Sequence, residues 1–331
     1  MYRFENRIIC LLALLVLSAG PLRAVTPVLR GAGIGRTIVP IPAQNGDRYG
    51  LAAMERQAIL VDLYPGLAVV KAEIILGNRS ENSITISLGL PKSGSFFHDE
   101  ISIIKLDSLF DLKISWKGKR LAVTSITADL RSNEAHLSLP ESYRDSVNHW
   151  YGWILDIPSQ SRDTLRISYA VRTGPAELAR GGNIRQSFFW GFLLEQARAW
   201  DGQLQETELQ VSLKGGLKSS QVYGVYPREV FQCDDGGNLY FNISGRNPIR
   251  HDDVLIGYDS KGKFDYFTDY LQNKDKYYQP VNHIPPDSLK MSKMPSDRFD
   301  VYPSKEYTVL GALAACLALV ALLVIYLIRR R

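Results

Sequence analysis

The uncharged run at 307–328, followed at once by Arg329, Arg330 and Arg331, constrains this chain more than any other stretch. At about 1.5 Å per residue its roughly 22 residues make a helix of about 33 Å, against a hydrocarbon core of about 30 Å. The pattern predicts a single transmembrane helix over 307–328 with a basic cytoplasmic tail at 329–331, because cytoplasmic flanks carry an excess of lysine and arginine. At the other end, Arg3 and Arg7 precede an apolar run at 8–17, and Ser18-Ala19-Gly20-Pro21 follows it. Basic, then apolar, then small and polar is the order of a secretory signal peptide, and about ten apolar residues are too few to span. The expectation is a signal peptide over 1–24 and a mature chain starting near Val25, with an uncleaved signal anchor as the alternative. Cys10 lies inside the apolar run and not after it, so no acylated cysteine is expected there. The two ends together predict a single-pass protein of a bacterial cytoplasmic membrane. Its ectodomain would lie in the periplasm or outside, and its C-terminus in the cytoplasm.

The charge agrees with that topology. The formal net charge is +5, and it is accounted for by Arg3, Arg7 and Arg23 less Glu5 at one end and the three arginines at the other. The exported portion is therefore near neutral, and nucleic acid is excluded as a partner, since phosphate binding needs clustered positive charge on the folded domain. Of the three cysteines, Cys10 and Cys316 lie in the membrane-directed segments, so the exported part keeps Cys233 and can form no internal disulfide. A domain of this size buries enough apolar surface without one, and Cys233 reads as a small buried residue.

Between the ends the hydrophobic period is two. The stretch 25–50, rich in glycine and proline around Gly31-Ala32-Gly33-Ile34-Gly35, reads as a mobile lead-in; it follows a leader instead of a strand, so it is no phosphate loop. From 51 onward, short Ile-, Val- and Leu-rich runs at 58–64, 67–76 and 83–88 alternate, as in Val69, Lys71, Glu73 against Val70, Ala72, Ile74. Turn chemistry separates them at Tyr64-Pro65-Gly66 and at 77–82. Further runs at 110–116, 121–127, 135–139, 150–157 and 164–171 complete one β unit over 51–173. A short helix is expected inside 174–183, between Gly174-Pro175 and Gly181-Gly182. Strands at 208–213, 221–225, 239–243 and 254–258 form a second β-rich unit over 174–262, or the far part of one large sandwich. Phe264, Phe267, Leu271 and Lys274 fall at helical spacing and predict a helix over 263–279. Pro280, Pro285, Pro286, Pro295 and Pro303 then make an extended stalk over 280–306. The fold class expected is mainly β: an immunoglobulin-like antiparallel β-sandwich ectodomain, in one or two units, with a C-terminal transmembrane helix.

Met54-Glu55, the strand at 60–63, Ala68-Val69-Val70, the run 74–78 ending in Asn78, and Leu88-Gly89-Leu90-Pro91 carry a resemblance. Together with 150–157, 164–169 and Trp200-Asp201-Gly202 they resemble an uncharacterised bacterial extracytoplasmic β-sandwich family of unknown function. The opening strands are also similar to the vault-protein and inter-alpha-trypsin-inhibitor type of module. The resemblance spans roughly 51–213 and implies a sandwich; it implies no activity, because that family carries no established catalytic motif.

No constellation for chemistry is legible. His98, His136, His149, His251 and His283 are scattered singly, and no Gly-x-Ser-x-Gly elbow occurs; Gly94-Ser95 lies in a polar turn. Asp234-Asp235-Gly236-Gly237-Asn238 lacks the alternating oxygens and distal glutamate of a calcium loop and reads as an acidic turn; His251-Asp252-Asp253 raises the same question. No metal or cofactor is expected. The aromatic residues Trp150, Tyr151, Trp153, Phe189, Trp190 and Trp200 are core in the plainer reading, and a carbohydrate, peptide or protein platform if a row faces outward. The functional expectation is a non-catalytic envelope protein that binds or scaffolds another protein or a polymer. The alternatives are an envelope hydrolase whose carboxylates are assembled by the fold, and a surface protein whose C-terminus is a processed sorting signal.

Overall fold

The computed structural model describes residues 28–41, 51–96, 98, 101, 103–128, 149–180, 183–200, 204–234, 236–260 and 264–278, with single positions 317, 326, 328 and 329. The expected signal peptide, the stalk, nearly all of 307–328 and the run at 135–139 lie outside the described residues. Among the described residues no helix is long and apolar enough to cross a membrane. The described chain is mainly β, in three sheets.

The first sheet runs, edge to edge, β10 (Lys119–Arg120), β9 (Phe110–Trp116), β13 (Ser161–Arg172), β5 (Leu67–Asn78), β4 (Ala52–Tyr64), β16 (Glu206–Leu213), β19 (Leu239–Ser244) and β18 (Phe231–Cys233). The second runs β17 (Val222–Tyr226), β20 (Val254–Tyr258), β15 (Asn183–Leu193), β14 (Ala176–Arg180), β1 (Val28–Arg30), β8 (Ile103–Lys105) and β7 (Ser95–Phe96), with β2 (Gly33–Arg36) also on β15. The third is β11 (Thr124–Thr127), β12 (His149–Ile157), β6 (Ile84–Pro91) and β3 (Val39–Pro40). β4 and β5 form the central hairpin. Its turn has Pro65 followed by Gly66 at φ +86°, the positive φ that the third residue of a type II turn requires.

Alternation decides which side chains go inside. Val61, Val70, Ile74 and Ile167 of the first sheet join Ile86, Leu88, Trp153 and Leu155 of the third in the principal core, which continues through Trp190, Phe192 and Ile256 of the second. A second cluster gathers Leu29, Ile34, Ile41, Ile104, Trp150, Phe189 and Leu255. Fully burying an aliphatic or aromatic side chain is worth about 1.5–3 kcal/mol, so these two clusters are the main favourable term of the fold.

Four features depart from the sequence reading. The ladders are not all antiparallel: β4 pairs in parallel with β16, β2 with β15 and β1 with β8. Strands from before and after residue 174 thereby share sheets. The expected mobile lead-in instead carries β1, β2 and β3, with Leu29, Ile34, Ile38 and Ile41 fully buried. Two of its glycines are there for close approach: a Cβ on Gly33 would lie 2.8 Å from the Arg172 carbonyl oxygen, and one on Gly35 would lie 2.5 Å from the Phe192 ring. The short helix expected inside 174–183 is the strand β14, paired antiparallel with β15. The last helix is two pieces, α1 (Tyr266–Gln272) and α2 (Lys274–Tyr277), broken at Asn273. Asp265 caps α1, its carboxylate accepting the Phe267 and Thr268 N–H groups. Phe267, Tyr270 and Tyr277 cover the outer face of the first sheet at Leu67, Val69 and Ala170, while Phe264 and Leu271 of the expected apolar stripe stay exposed.

Candidate functional site

A cleft of about 360 Å³ opens where β6 ends and β12 begins, lined by Lys92, Ser93, Leu106, Asp107, Ser108 and His149. That size falls within the range of small-ligand sites, about 300–1,000 Å³. One wall continues the β6–β12 ladder: the Lys92 N–H donates to the His149 carbonyl at 2.8 Å, one step beyond the Pro91–Trp150 pair. The other wall is the connection between β8 and β9. It is held to the first where the Leu106 N–H donates to the Gly94 carbonyl at 3.0 Å.

Behind the cleft lies Arg36, the last residue of β2, only 1% exposed. Its guanidinium donates to the Pro91 carbonyl, to the Asp107 carbonyl at 2.5 Å and to the Ile34 carbonyl at 3.2 Å. One buried cation therefore fixes the backbone of both walls. Its own main chain is held by Tyr169 of β13, whose hydroxyl accepts the Arg36 N–H at 2.9 Å and donates to the Arg36 carbonyl at 3.1 Å. Partial burial raises the Asp107 carboxyl above its usual range, and the nearby Arg36 and Arg172 guanidiniums pull it part of the way back. The Lys92 ammonium rests 5.6 Å from the centroid of the Tyr151 ring and donates to Ser125 Oγ at 3.3 Å.

The six aromatic residues singled out in the sequence do not converge on one surface. Trp150, Trp153, Phe189, Trp190 and Trp200 are buried, and they divide between the two core clusters. Trp200 is anchored there by its indole N–H, which donates to the Ile38 carbonyl at 2.8 Å. Tyr151 alone is half-buried, at the cleft beneath Lys92. The residues that make the cleft, Lys92, Ser93, Asp107 and Ser108, were not legible as a site. Their only signal is polar turn composition after the apolar-Pro strand end, and His149 was one of the scattered histidines.

Two acidic groups remain. The Asp234 carboxylate accepts the Asn238 N–H at 2.7 Å, the Asn238 side-chain amide at 2.8 Å and the Tyr240 hydroxyl at 3.3 Å, so it is used up in closing its turn. Asp252, Asp253 and Glu195 are drawn together, but each has a structural partner. Arg246 binds Asp252 through both terminal nitrogens, at 2.5 and 2.7 Å, and Arg198 meets Glu195 at 3.3 Å. Asp253 accepts the Glu195 N–H at 2.8 Å; burial pushes its carboxyl well up, reinforced by the neighbouring Glu195 and Asp252 charges. Among the described residues no group of three or more His, Cys, Asp or Glu side chains is arranged to hold a metal ion.

No protein-family model matches the sequence, and no curated protein matches it. Among solved structures, a protein of Legionella pneumophila described as a candidate nutrient-binding protein is 13% identical, covering 76% of this chain and 76% of its own, with a TM-score of 0.47. The M1 zinc metallopeptidase of Deinococcus radiodurans is 9% identical over 63% of this chain and 42% of its own, with a TM-score of 0.28. A candidate protease of Parabacteroides distasonis is 11% identical over 64% of this chain and 41% of its own, also at 0.28. The chain thus spans about two fifths of the length of those two proteins. At these identities and TM-scores none of the three carries an argument about what this chain does.

Proposed function

We propose that the chain is a membrane-anchored extracytoplasmic protein that works by binding an envelope protein or polymer at the Lys92–His149 cleft, without chemistry of its own. In this reading an immunoglobulin-like sandwich is exported behind the signal peptide at 1–24. The stalk at 280–306 holds it off the bacterial cytoplasmic membrane, and the helix at 307–328 anchors it with the arginine tail inside. The observation that carries the binding reading is the cleft itself: an open recess, presenting Lys92, Asp107, His149 and two serines, whose two walls are fixed to one buried guanidinium. Pre-organised walls lower the ordering cost of association, which is what a recognition site needs.

The test is photocrosslinking in intact cells with a photoreactive residue at Ser108, and at Glu81 as a control. Glu81 precedes β6, the strand whose far end leads into the cleft, and so lies roughly 25 Å away at about 3.3 Å per residue. The expected result is a reproducible envelope adduct from position 108 and none from position 81. Equal labelling at both positions, or none at position 108, removes the cleft as the site of contact.

A further inference from the structure

The charges that line the cleft narrow what it binds, and the inference rests on the binding reading above. Lys92 and Asp107 line the same recess with opposite charges, yet they form no ion pair with each other. Among the described residues the Lys92 ammonium meets only Ser125 Oγ at 3.3 Å and the Tyr151 ring, and the Asp107 carboxylate makes no hydrogen bond or ion pair. The reason is the clamp behind them. The Pro91 carbonyl, next to Lys92, and the Asp107 carbonyl are both held by the Arg36 guanidinium, so the two walls cannot close on one another. The hydroxyls of Ser93 and Ser108 likewise have no protein partner among the described residues. The recess therefore offers an ammonium and an imidazole on one wall, a carboxylate on the other, and hydroxyls on both. Beneath it the Arg36 guanidinium donates to three carbonyls, and it and the Arg172 guanidinium also act on the Asp107 carboxyl, so Lys92, Arg36 and Arg172 set three positive charges near that one carboxylate.

We propose that the cleft binds an acidic sugar unit through its oxyanion, a carboxylate or a phosphate. The oxyanion lies against the Lys92 ammonium and the His149 ring. The sugar hydroxyls donate to the Asp107 carboxylate and exchange hydrogen bonds with Ser93 and Ser108. A neutral sugar would leave Lys92 without a counter-ion. An acidic peptide would need an apolar anchor as well, and Leu106 is the one apolar side chain in the lining. The open mouth suits a unit within a polymer as well as a free sugar.

The experiment is calorimetric titration of the full-length protein in detergent micelles with four probes: trigalacturonate for the carboxylate, glucose 1-phosphate for the phosphate, maltotriose as the neutral sugar and a Glu-Gly-Glu peptide. The expected result is binding of at least one acidic sugar, no binding of maltotriose, and weakening as salt rises past the range where surface charges are screened. Lys92→Gln, an exposed change that leaves the fold intact by circular dichroism, should weaken the acidic sugar at least about tenfold, the loss of one charge-assisted bond. Lys113→Gln, at a lysine over Tyr278 on the first sheet, should leave it unchanged. Maltotriose binding as tightly as trigalacturonate, preferential binding of the peptide, or an unchanged affinity in Lys92→Gln overturns the acidic-sugar assignment; any of the three leaves the binding reading standing if position 108 still crosslinks. Failure of every probe also overturns the acidic-sugar assignment, and together with failure of that crosslink it overturns the binding reading as well.

Discussion

Tyr169→Phe removes one oxygen atom and should cost far more than one hydrogen bond. The ring is 1% exposed in the principal core, and its hydroxyl accepts the Arg36 N–H at 2.9 Å and donates to the Arg36 carbonyl at 3.1 Å. Arg36 is the last residue of β2, which among the described residues pairs with β15 and has no strand along its other edge. The N–H and C=O of a strand residue point to the same side, so this one hydroxyl stands where the next strand would be. Phenylalanine keeps the packing but orphans a buried donor and a buried acceptor, each at about 1–3 kcal/mol, for a total of about 2–6 kcal/mol. For a domain of this size each kcal/mol lowers Tm by about 2–4 °C, so the melting midpoint should fall by at least about 4 °C and by up to about 24 °C. Thermal unfolding followed by circular dichroism gives the shift, and amide exchange at Arg36 gives its cause: the Arg36 amide should lose protection in the variant. A midpoint within about 2 °C of the parent, with the Arg36 amide still protected, would show that the strand edge is satisfied some other way and refute the reasoning.

Three further outcomes follow from partners already described. Asp252→Ala strips the bidentate partner from Arg246 and the acceptor from the Ile249 N–H at 2.8 Å, and should destabilise the protein by about 3 kcal/mol, read from the urea midpoint. The Asp269 carboxylate is held down to about 2 by hydrogen bonds from Tyr277, Lys276 and Asn273. A depressed folded value means that its contribution is complete above the ordinary carboxylate range near 4 and is lost as pH falls towards 2; the carboxyl ¹³C titration should show the low midpoint, and Asp269→Asn should erase that step. Cys233, buried with its thiol directed to the Asp234 carbonyl at 3.5 Å, should resist a maleimide reagent in the native protein and react at once in urea; rapid native labelling at this position would contradict its burial.

The strands were legible because period two reports which side chains share a face. The runs at 110–116 and 254–258 are the observed β9 and β20, and Val70, Ala72 and Ile74 do face the principal core. What alternation does not report is which strand lies alongside and in which direction. The parallel pairing of β4 with β16 joins residues about 150 apart, and nothing in either run marks it. Nor does alternation report what covers the opposite face: Val69, on the side read as polar, is buried because α1 and α2 lie over it. The glycine-rich run at 31–35 reads as mobility, yet Gly33 and Gly35 mark close packing, since a sequence shows the missing Cβ but not the neighbour that requires its absence. Residue type alone does not separate an aromatic core from an outward aromatic row; five of the six aromatic residues are buried. The cleft residues come from three separate segments, 92–93, 106–108 and 149, so only the fold could assemble them.

Arg36 is where core and site meet, and it sets a test that separates them. Withdrawing a guanidinium from water costs several kcal/mol, and replacing a buried charge by an apolar residue of similar volume is often close to neutral. Stability alone therefore gives no reason for an arginine at this place. Arg36→Met gives up charge-assisted bonds to the Pro91, Asp107 and Ile34 carbonyls, worth about 1.5–3 kcal/mol each, and recovers most of the desolvation cost, so its net destabilisation should be about 1–3 kcal/mol. Binding should suffer more in proportion: without the clamp the walls that keep Lys92 and Asp107 apart are free to close, and the positive charge beneath the cleft is gone. Measured below its own melting midpoint, the Met variant should bind the acidic sugar at least about tenfold more weakly than the parent, a difference of about 1.4 kcal/mol in affinity. A variant as stable as expected but with full affinity would make Arg36 a feature of the core alone, and the cleft would have to owe its selectivity to Lys92 and His149 without it.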